Sequence, residues 1–346
     1  VVREGSRDAG HAGDVGAGPW EGAAVPGAAG GRWGGHRDGR RGGGRARARV
    51  FVAAGRAAVR AHAADEPWVQ LNLTPAEGPR GELYAQLARI AREMLDHGTA
   101  RNFFFMHKAP GLRVRFQAPG PCPQALHRAL LRRFRGTPGL RGEPVRAVYE
   151  PEHYLFGGPG SMRYVHALFT LDALAWLDHH AGPPRGDGGA TAWRLSLVLL
   201  GEVCAGLGIV GWEQRGMWQE VRSAAGRRLR AVDRDDPRMR RAADGILAQW
   251  RLPRGAALDT FAGDRAPCYL RHAEAVRAAA ERWRTGWFEP VRGVPSAAGQ
   301  PVEVGPRRAA AYFTVFHWNR GLVSLARQNL ITEALAGEGS RHAARA

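Results

Sequence analysis

Lysine is almost absent from this 346-residue chain: Lys108 is the single lysine, and arginine carries the rest of the positive charge. Cysteine is scarce as well. Cys122, Cys204 and Cys268 are odd in number, far apart and free of any CxxC spacing, which argues against a disulfide framework or a thiolate metal site and for a reducing compartment. The first residues lack the continuous apolar core of a secretion signal. The most apolar stretch, 192–212, contains Arg194 and Glu202 and reads as a buried helix rather than a membrane span. Together these absences predict a cytoplasmic protein with no membrane role. HExxH, His-x-His, GxSxG and catalytic Cys/His signatures are also missing. Gly157-Gly158-Pro159-Gly160 has no Lys-Ser/Thr pair and reads as a turn, not a phosphate cradle. Asp178-His179-His180 and His166 read as helix-end histidines, so no metal and no cofactor is expected.

What the chain has in excess is positive charge, a formal +18. Such a balance implies an acidic partner, and nucleic acid, an acidic peptide and a membrane surface all satisfy it. Residues 1–48 hold fifteen of the 47 glycines and the Arg/Gly run 39–49. They cannot bury enough surface to offset chain entropy and are expected to be a disordered tail or sequence upstream of the true start. Residues 337–346 read as a flexible tail.

Trp68 to Leu73 alternates with period two and marks a first strand. Leu83, Leu87, Ile90 and Met94 repeat at helical spacing before Gly98, which suits a C-terminal cap. Residues 102–116 read as two strands around a Pro-Gly turn, followed by a helix over 124–135. Strands are expected at 145–156 and 308–315. Helices are expected at 162–179, 191–207, 213–232, 237–250, 267–287 and 322–336, with Asp236-Pro237 as a well-formed helix start. Strands toward both ends and helices between them make the class α+β.

Three clusters could carry chemistry. In the hairpin, Phe103, Phe105 and His107 point one way, while Arg113 and Arg115 at i, i+2 form an anion clamp near His107 and Lys108. Tyr149-Glu150-Pro151-Glu152-His153-Tyr154 concentrates two carboxylates, an imidazole and two phenols, a set able to give and take protons if burial brings their pKa values toward neutrality. Phe316-His317-Trp318-Asn319-Arg320 is compact and polar-aromatic, and reads equally well as Asn capping with Trp318 in the core.

In order, these segments resemble the C-terminal elimination-domain family of lantibiotic dehydratases, which includes stand-alone proteins of thiopeptide biosynthesis. Trp68–Leu73 is similar to the family's opening strand, and Phe104-Phe105-Met106-His107-Lys108 with Leu112-Arg113-Val114-Arg115-Phe116 to its FFIRY…HLRLRF hairpin. Tyr149-Glu150-Pro151-Glu152 and Gly157-Gly158 are similar to YEPE…YGG, Leu168-Phe169 and Asp172 to LF..DS, and Asn319-Arg320 to the terminal NR pair. The resemblance covers residues 66–336 and implies one catalytic domain there.

Members that eliminate glutamate from glutamylated Ser/Thr carry arginine in FFIRY, arginine before YGG and histidine four residues before the NR asparagine. Here His107, Leu155 and Val315 stand at those places. The departures resemble the thiopeptide pyridine synthases, which join two dehydroalanines of a precursor peptide by a formal aza-[4+2] cycloaddition, then lose water and expel the leader peptide. That resemblance implies no cofactor. Its partners would be a precursor peptide with an acidic leader and other enzymes of the same pathway; nucleic acid is not expected. Under it, Tyr154, Glu150, His107 and His317 are the candidate proton-transfer residues, and Lys108, Arg113, Arg115, His153, Asp172, Asn319 and Arg320 the candidate binding residues. Two alternatives remain: a glutamate-eliminating subunit of a split dehydratase, and a non-catalytic basic protein that binds peptide or RNA.

Overall fold

Alternating Trp68–Leu73 forms strand β1, and Asn102–Lys108 (β2), Gly111–Gln117 (β3) and Val145–Ala147 (β4) join it in an antiparallel sheet of order β2-β3-β1-β4. The computed structural model describes residues 67–120, 122–182, 188–291 and 304–337. All belong to one unit, Ala57–Ala346; the other unit, Val1–Arg56, lies outside the described residues, as does the Gly/Arg-rich segment 1–48 and the tail beyond Gly337. The β2–β3 turn contains a cis Ala109–Pro110 bond. Gly111 follows it because a Cβ there would lie 2.0 Å from the Leu73 carbonyl oxygen.

Strand register divides the side chains into two sets. Val69, Leu71, Leu73, Phe103, Phe105, Leu112, Val114 and Phe116 fill one face and are all buried. Helix α1 (Gly81–Asp96) packs there, with the Tyr84 and Phe105 rings 6.4 Å apart. Its apolar period fits this task, and each fully buried Leu or Phe contributes about 1.5–3 kcal/mol. Helix α2 (Pro123–Phe134) buries Leu126, Leu130 and Phe134.

The other face carries Gln70, Asn72, Phe104, Met106, Arg113 and Arg115, opposed in register as Gln70↔Arg115, Asn72↔Arg113 and Met106↔Arg113. Helix α3 (Met162–Ala181) meets this side, with Phe169 5.1 Å from Phe104. The remaining long helices are α4 (Gly188–Gly206), α5 (Trp212–Ala224), α6 (Pro237–Arg251), α7 (Ala266–Trp283), α8 (Pro306–Arg320) and α9 (Leu325–Ala336). Asp236 caps α6 as its Asp-Pro start predicts, accepting from Arg238 N at 2.7 Å. Gly206 lets α4 approach α7, since a Cβ there would lie 2.5 Å from the Arg277 carbonyl oxygen.

The α+β class stands, with a mostly helical body and a small antiparallel sheet, but two expected strands do not. Residues 308–315 lie within α8, not in a strand, because Ala309, Ala310, Phe313, Thr314, His317 and Trp318 are buried at helical spacing behind Pro306 in the first turn. Of 145–156 only Val145–Ala147 is a strand. Pro151 withholds a ladder donor, and the chain then tightens into a short 3-10 turn at His153–Leu155. The last helix begins at Leu325, after a turn in which Leu322 takes a left-handed conformation, φ 52°.

Candidate functional site

The free edge of β2 is closed by side chains from two helices. The Phe103 amide donates to Thr170 Oγ1 at 3.1 Å. The Asn319 side chain pairs with both backbone groups of His107, accepting from its N–H at 2.8 Å and donating to its carbonyl at 2.9 Å. His107 Nδ1 lies 2.8 Å from the Asn319 carbonyl oxygen, which fixes the proton on Nδ1. Its Nε2 is therefore the acceptor for the Tyr84 hydroxyl, 2.9 Å away. Burial lowers the His107 pKa to about 4; nearby His180, Arg80 and Arg320 act in the same direction, and the bond to Asn319 only partly opposes them. His107 is neutral at pH 7.

One turn on, Arg320 and His317 converge on Asp172, all three at 0% exposure. Arg320 Nε donates to Asp172 Oδ2 at 2.6 Å, and His317 Nδ1 donates to Oδ1 at 2.6 Å. Burial alone would raise the Asp172 carboxyl, but His317 and Arg320 together hold it below its ordinary value. Arg320 also lies 4.5 Å over the Phe169 ring, while its Nη2 is buried with no hydrogen-bond partner among the described residues. His317 Nε2 is 2.9 Å from Ser196 Oγ, which also accepts from Trp318 Nε1. The Ser-His-Asp order imitates a hydrolase triad, yet no substrate reaches these enclosed groups. The node holds α3, α4 and α8 together.

A second polar group occupies the arginine face of the sheet. Arg115 donates to Gln70 Oε1 at 2.7 Å and lies 5.0 Å over Phe104 and 4.8 Å over Tyr149. The Tyr149 hydroxyl is hydrogen-bonded to His166 Nε2 at 2.9 Å. Burial, reinforced by the Arg115 charge, lowers His166 to about 3. Burial raises the Glu152 carboxyl, with Arg115 and Arg113 only partly opposing it. A carboxyl with raised pKa can deliver a proton, and the two arginines beside it can hold a carbonyl oxygen.

The sequence-predicted residues thus separate. His107, Asn319, Arg320, Asp172 and His317 come together where β2, α3 and α8 meet, while Arg113 and Arg115 project from the opposite sheet face to His107. Glu150 is exposed, Tyr154 is 64% exposed, and His153 is half-buried beside Tyr154, so none of the three joins His107. Lys108 is exposed at the end of β2. Sequence reasoning passed over Tyr84, read His166 only as one of the helix-end histidines, and favoured Glu150 over its more buried neighbour Glu152. Outside these groups, Asp178, Cys268 and His272 bring metal-ligand-type atoms within 4.8 Å of one another. Arg92 already donates to both Asp178 carboxylate oxygens at 2.8 and 2.7 Å, so that cluster reads as an ion-pair network.

Helix α8 touches both β2 and the 153–155 turn, so the places where the resemblance calls for two arginines and a histidine belong to one packed neighbourhood. A family model for the lantibiotic biosynthesis dehydratase C-terminal region matches residues 68–336. The chain belongs to this family. Among solved structures, the tRNA-dependent lantibiotic dehydratase MibB from Microbispora sp. 107891 is similar, with TM-score 0.55 and 17% identity over 82% of this chain and 29% of MibB. The chain therefore spans less than a third of that protein, and the likeness establishes the elimination-domain fold. TsrL matches with TM-score 0.44 and 16% identity over 79% of this chain and 94% of its own. TbtD, a pyridine synthase from thiomuracin biosynthesis, matches with TM-score 0.46 and 15% identity over 81% and 99%. No curated protein sequence matches the chain.

Proposed function

We propose that this member of the lantibiotic dehydratase C-terminal family is a pyridine synthase, joining two dehydroalanines of a ribosomally made precursor peptide by a formal aza-[4+2] cycloaddition. The observation that carries the reading is the state of His107: where the resemblance places an arginine of glutamate elimination, this chain has a neutral, fully hydrogen-bonded imidazole. Leu155, buried, and Val315, half-buried, replace the other two elimination residues with apolar side chains. An elimination site needs a cation for the departing carboxylate and a base for the α-proton. A cycloaddition followed by loss of water and of the leader as an amide needs orientation and proton transfer instead. Glu152 is suited to deliver a proton to the leaving hydroxyl, and Arg113 and Arg115 to hold peptide carbonyls.

Incubation with a linear peptide bearing two dehydroalanines and azoles is expected to give a macrocycle and free leader amide by mass spectrometry. An unchanged mass with well-folded protein overturns the proposal. Loss of glutamate from a glutamylated precursor under the same conditions would establish the elimination reading in its place.

A further inference from the structure

On the α1 side of β2, away from the arginine face, a cavity of about 760 Å³ opens between the start of α1, the end of α3, the start of α4 and the start of α7. Its size suits a few side chains rather than a single ion. Arg80, Arg265, Tyr84, Tyr269, His179 and His180 are among its walls. Two cations line it, and among the described residues neither Arg80 nor Arg265 forms an ion pair with a carboxylate. Glu82 is the sole acidic side chain of the described lining, and it is exposed.

The walls are fixed and rich in donors. Arg265 donates to the carbonyls of Asp178 and His179 at 3.3 and 3.2 Å and to the Tyr269 hydroxyl at 3.0 Å. Gly182 makes that reach possible, because a Cβ there would coincide with the guanidinium. Tyr269 accepts from Arg265, and its hydroxyl also lies 3.0 Å from His179 Nδ1, to which it is hydrogen-bonded. The lining therefore offers guanidinium N–H groups beside imidazole, phenol and phenyl rings, a surface that discriminates in favour of an anion carried on an apolar stem.

The cavity also touches the functional site. Tyr84 links it to His107, and His180 Nε2 donates to the Arg320 carbonyl at 2.7 Å, so an occupant would rest directly against both anchors of the NR pair.

We propose that this cavity binds the carboxylate side chains of an acidic segment of the peptide substrate, with Arg80 and Arg265 as charge partners. The choice of a peptide carboxylate over a free oxyanion rests on the peptide-processing reading above. The test is fluorescence anisotropy of the full chain with a fluorescein-labelled peptide of alternating glutamate and leucine, and with its glutamine counterpart. The glutamate peptide should bind about tenfold more tightly. Arg80→Glu, at an exposed position, and Arg265→Gln should each remove most of that preference, whereas Arg238→Glu on the exposed start of α6 should change it by less than about twofold. Equal losses from Arg80→Glu and Arg238→Glu would reduce the effect to overall charge and overturn the proposal. So would indifference to glutamate, or binding of inorganic phosphate with no binding of either peptide. The measurement needs no turnover. Intact, Arg80-dependent binding with no cyclisation would remove the synthase reading and leave the cavity assignment standing; cyclisation without such binding would do the reverse.

Discussion

Asn319 grips His107 by three hydrogen bonds of 2.8–2.9 Å, two through its side-chain amide and one through its own carbonyl, although 212 residues separate them. The amide occupies the place of a neighbouring strand. Asn319→Ala would leave the His107 N–H and carbonyl without partners at a partly buried edge, at about 1–3 kcal/mol for each group left unsatisfied. Urea unfolding should show a loss of at least about 2 kcal/mol, with Asn319→Asp intermediate because it keeps the acceptor and loses the donor.

Acid should unfold the protein earlier than carboxylate titration alone would. The folded pKa values of His107, at about 4, and of His166 and His179, at about 3, lie below the ordinary 6.5. The unfolded chain therefore binds more protons below pH 6.5, so their contribution is complete above that pH and is lost as pH falls toward 4 and then 3. His107 alone accounts for about 3 kcal/mol as an upper figure. The melting temperature should decline from near pH 6.5 downward, and His166→Phe should flatten the profile; a flat profile between pH 6.5 and 5 would contradict these assignments.

The Asp172 node makes an unequal pair of variants. Asp172→Ala leaves the Arg320 cation enclosed without its counter-ion and should destabilise by about 3–5 kcal/mol. Arg320→Met with Asp172→Leu, which removes both charges, should recover much of that loss, as a double-mutant cycle would show.

Proton delivery by Glu152 predicts that Glu152→Gln lowers kcat for cyclisation by about a hundredfold while leaving KM largely unchanged. Glu152→Asp should recover part of the rate and shift the acidic limb of the pH profile. Equal damage from both substitutions would reassign Glu152 to binding.

Leu322 holds a left-handed conformation with its side chain 53% exposed, so little packing is at stake. Leu322→Gly should stabilise by about 1 kcal/mol, measurable as a higher urea midpoint.

Local order was legible where a single period dominated. Leu83 to Met94 and Trp68 to Leu73 declared their elements, and so did the hairpin. Residues 308–315 misled because Tyr312, Phe313, Thr314 and Val315 favour strands locally, whereas the contacts of Phe313, Trp318 and Arg320 with α3, α4 and α5 reward a helix. The proton-transfer set was legible as a composition but not as a place. Strand alternation puts His107 and Arg113 on opposite faces once the register is known, and the choice between Glu150 and Glu152, two residues apart, depends on burial that local sequence does not declare. Tyr84 carried no signal of its own, since its role comes from a partner 23 residues away on another element.

Closing β2 with Thr170 and Asn319 gives the sheet a direction of growth. On that side the Phe103 amide and both backbone groups of His107 are already taken, so an incoming chain finds an interrupted ladder. Beside β4, where Val145 and Val148 stand 61% and 76% exposed, no described strand follows. A fifth strand would meet fewer occupied backbone groups at that end than beside β2.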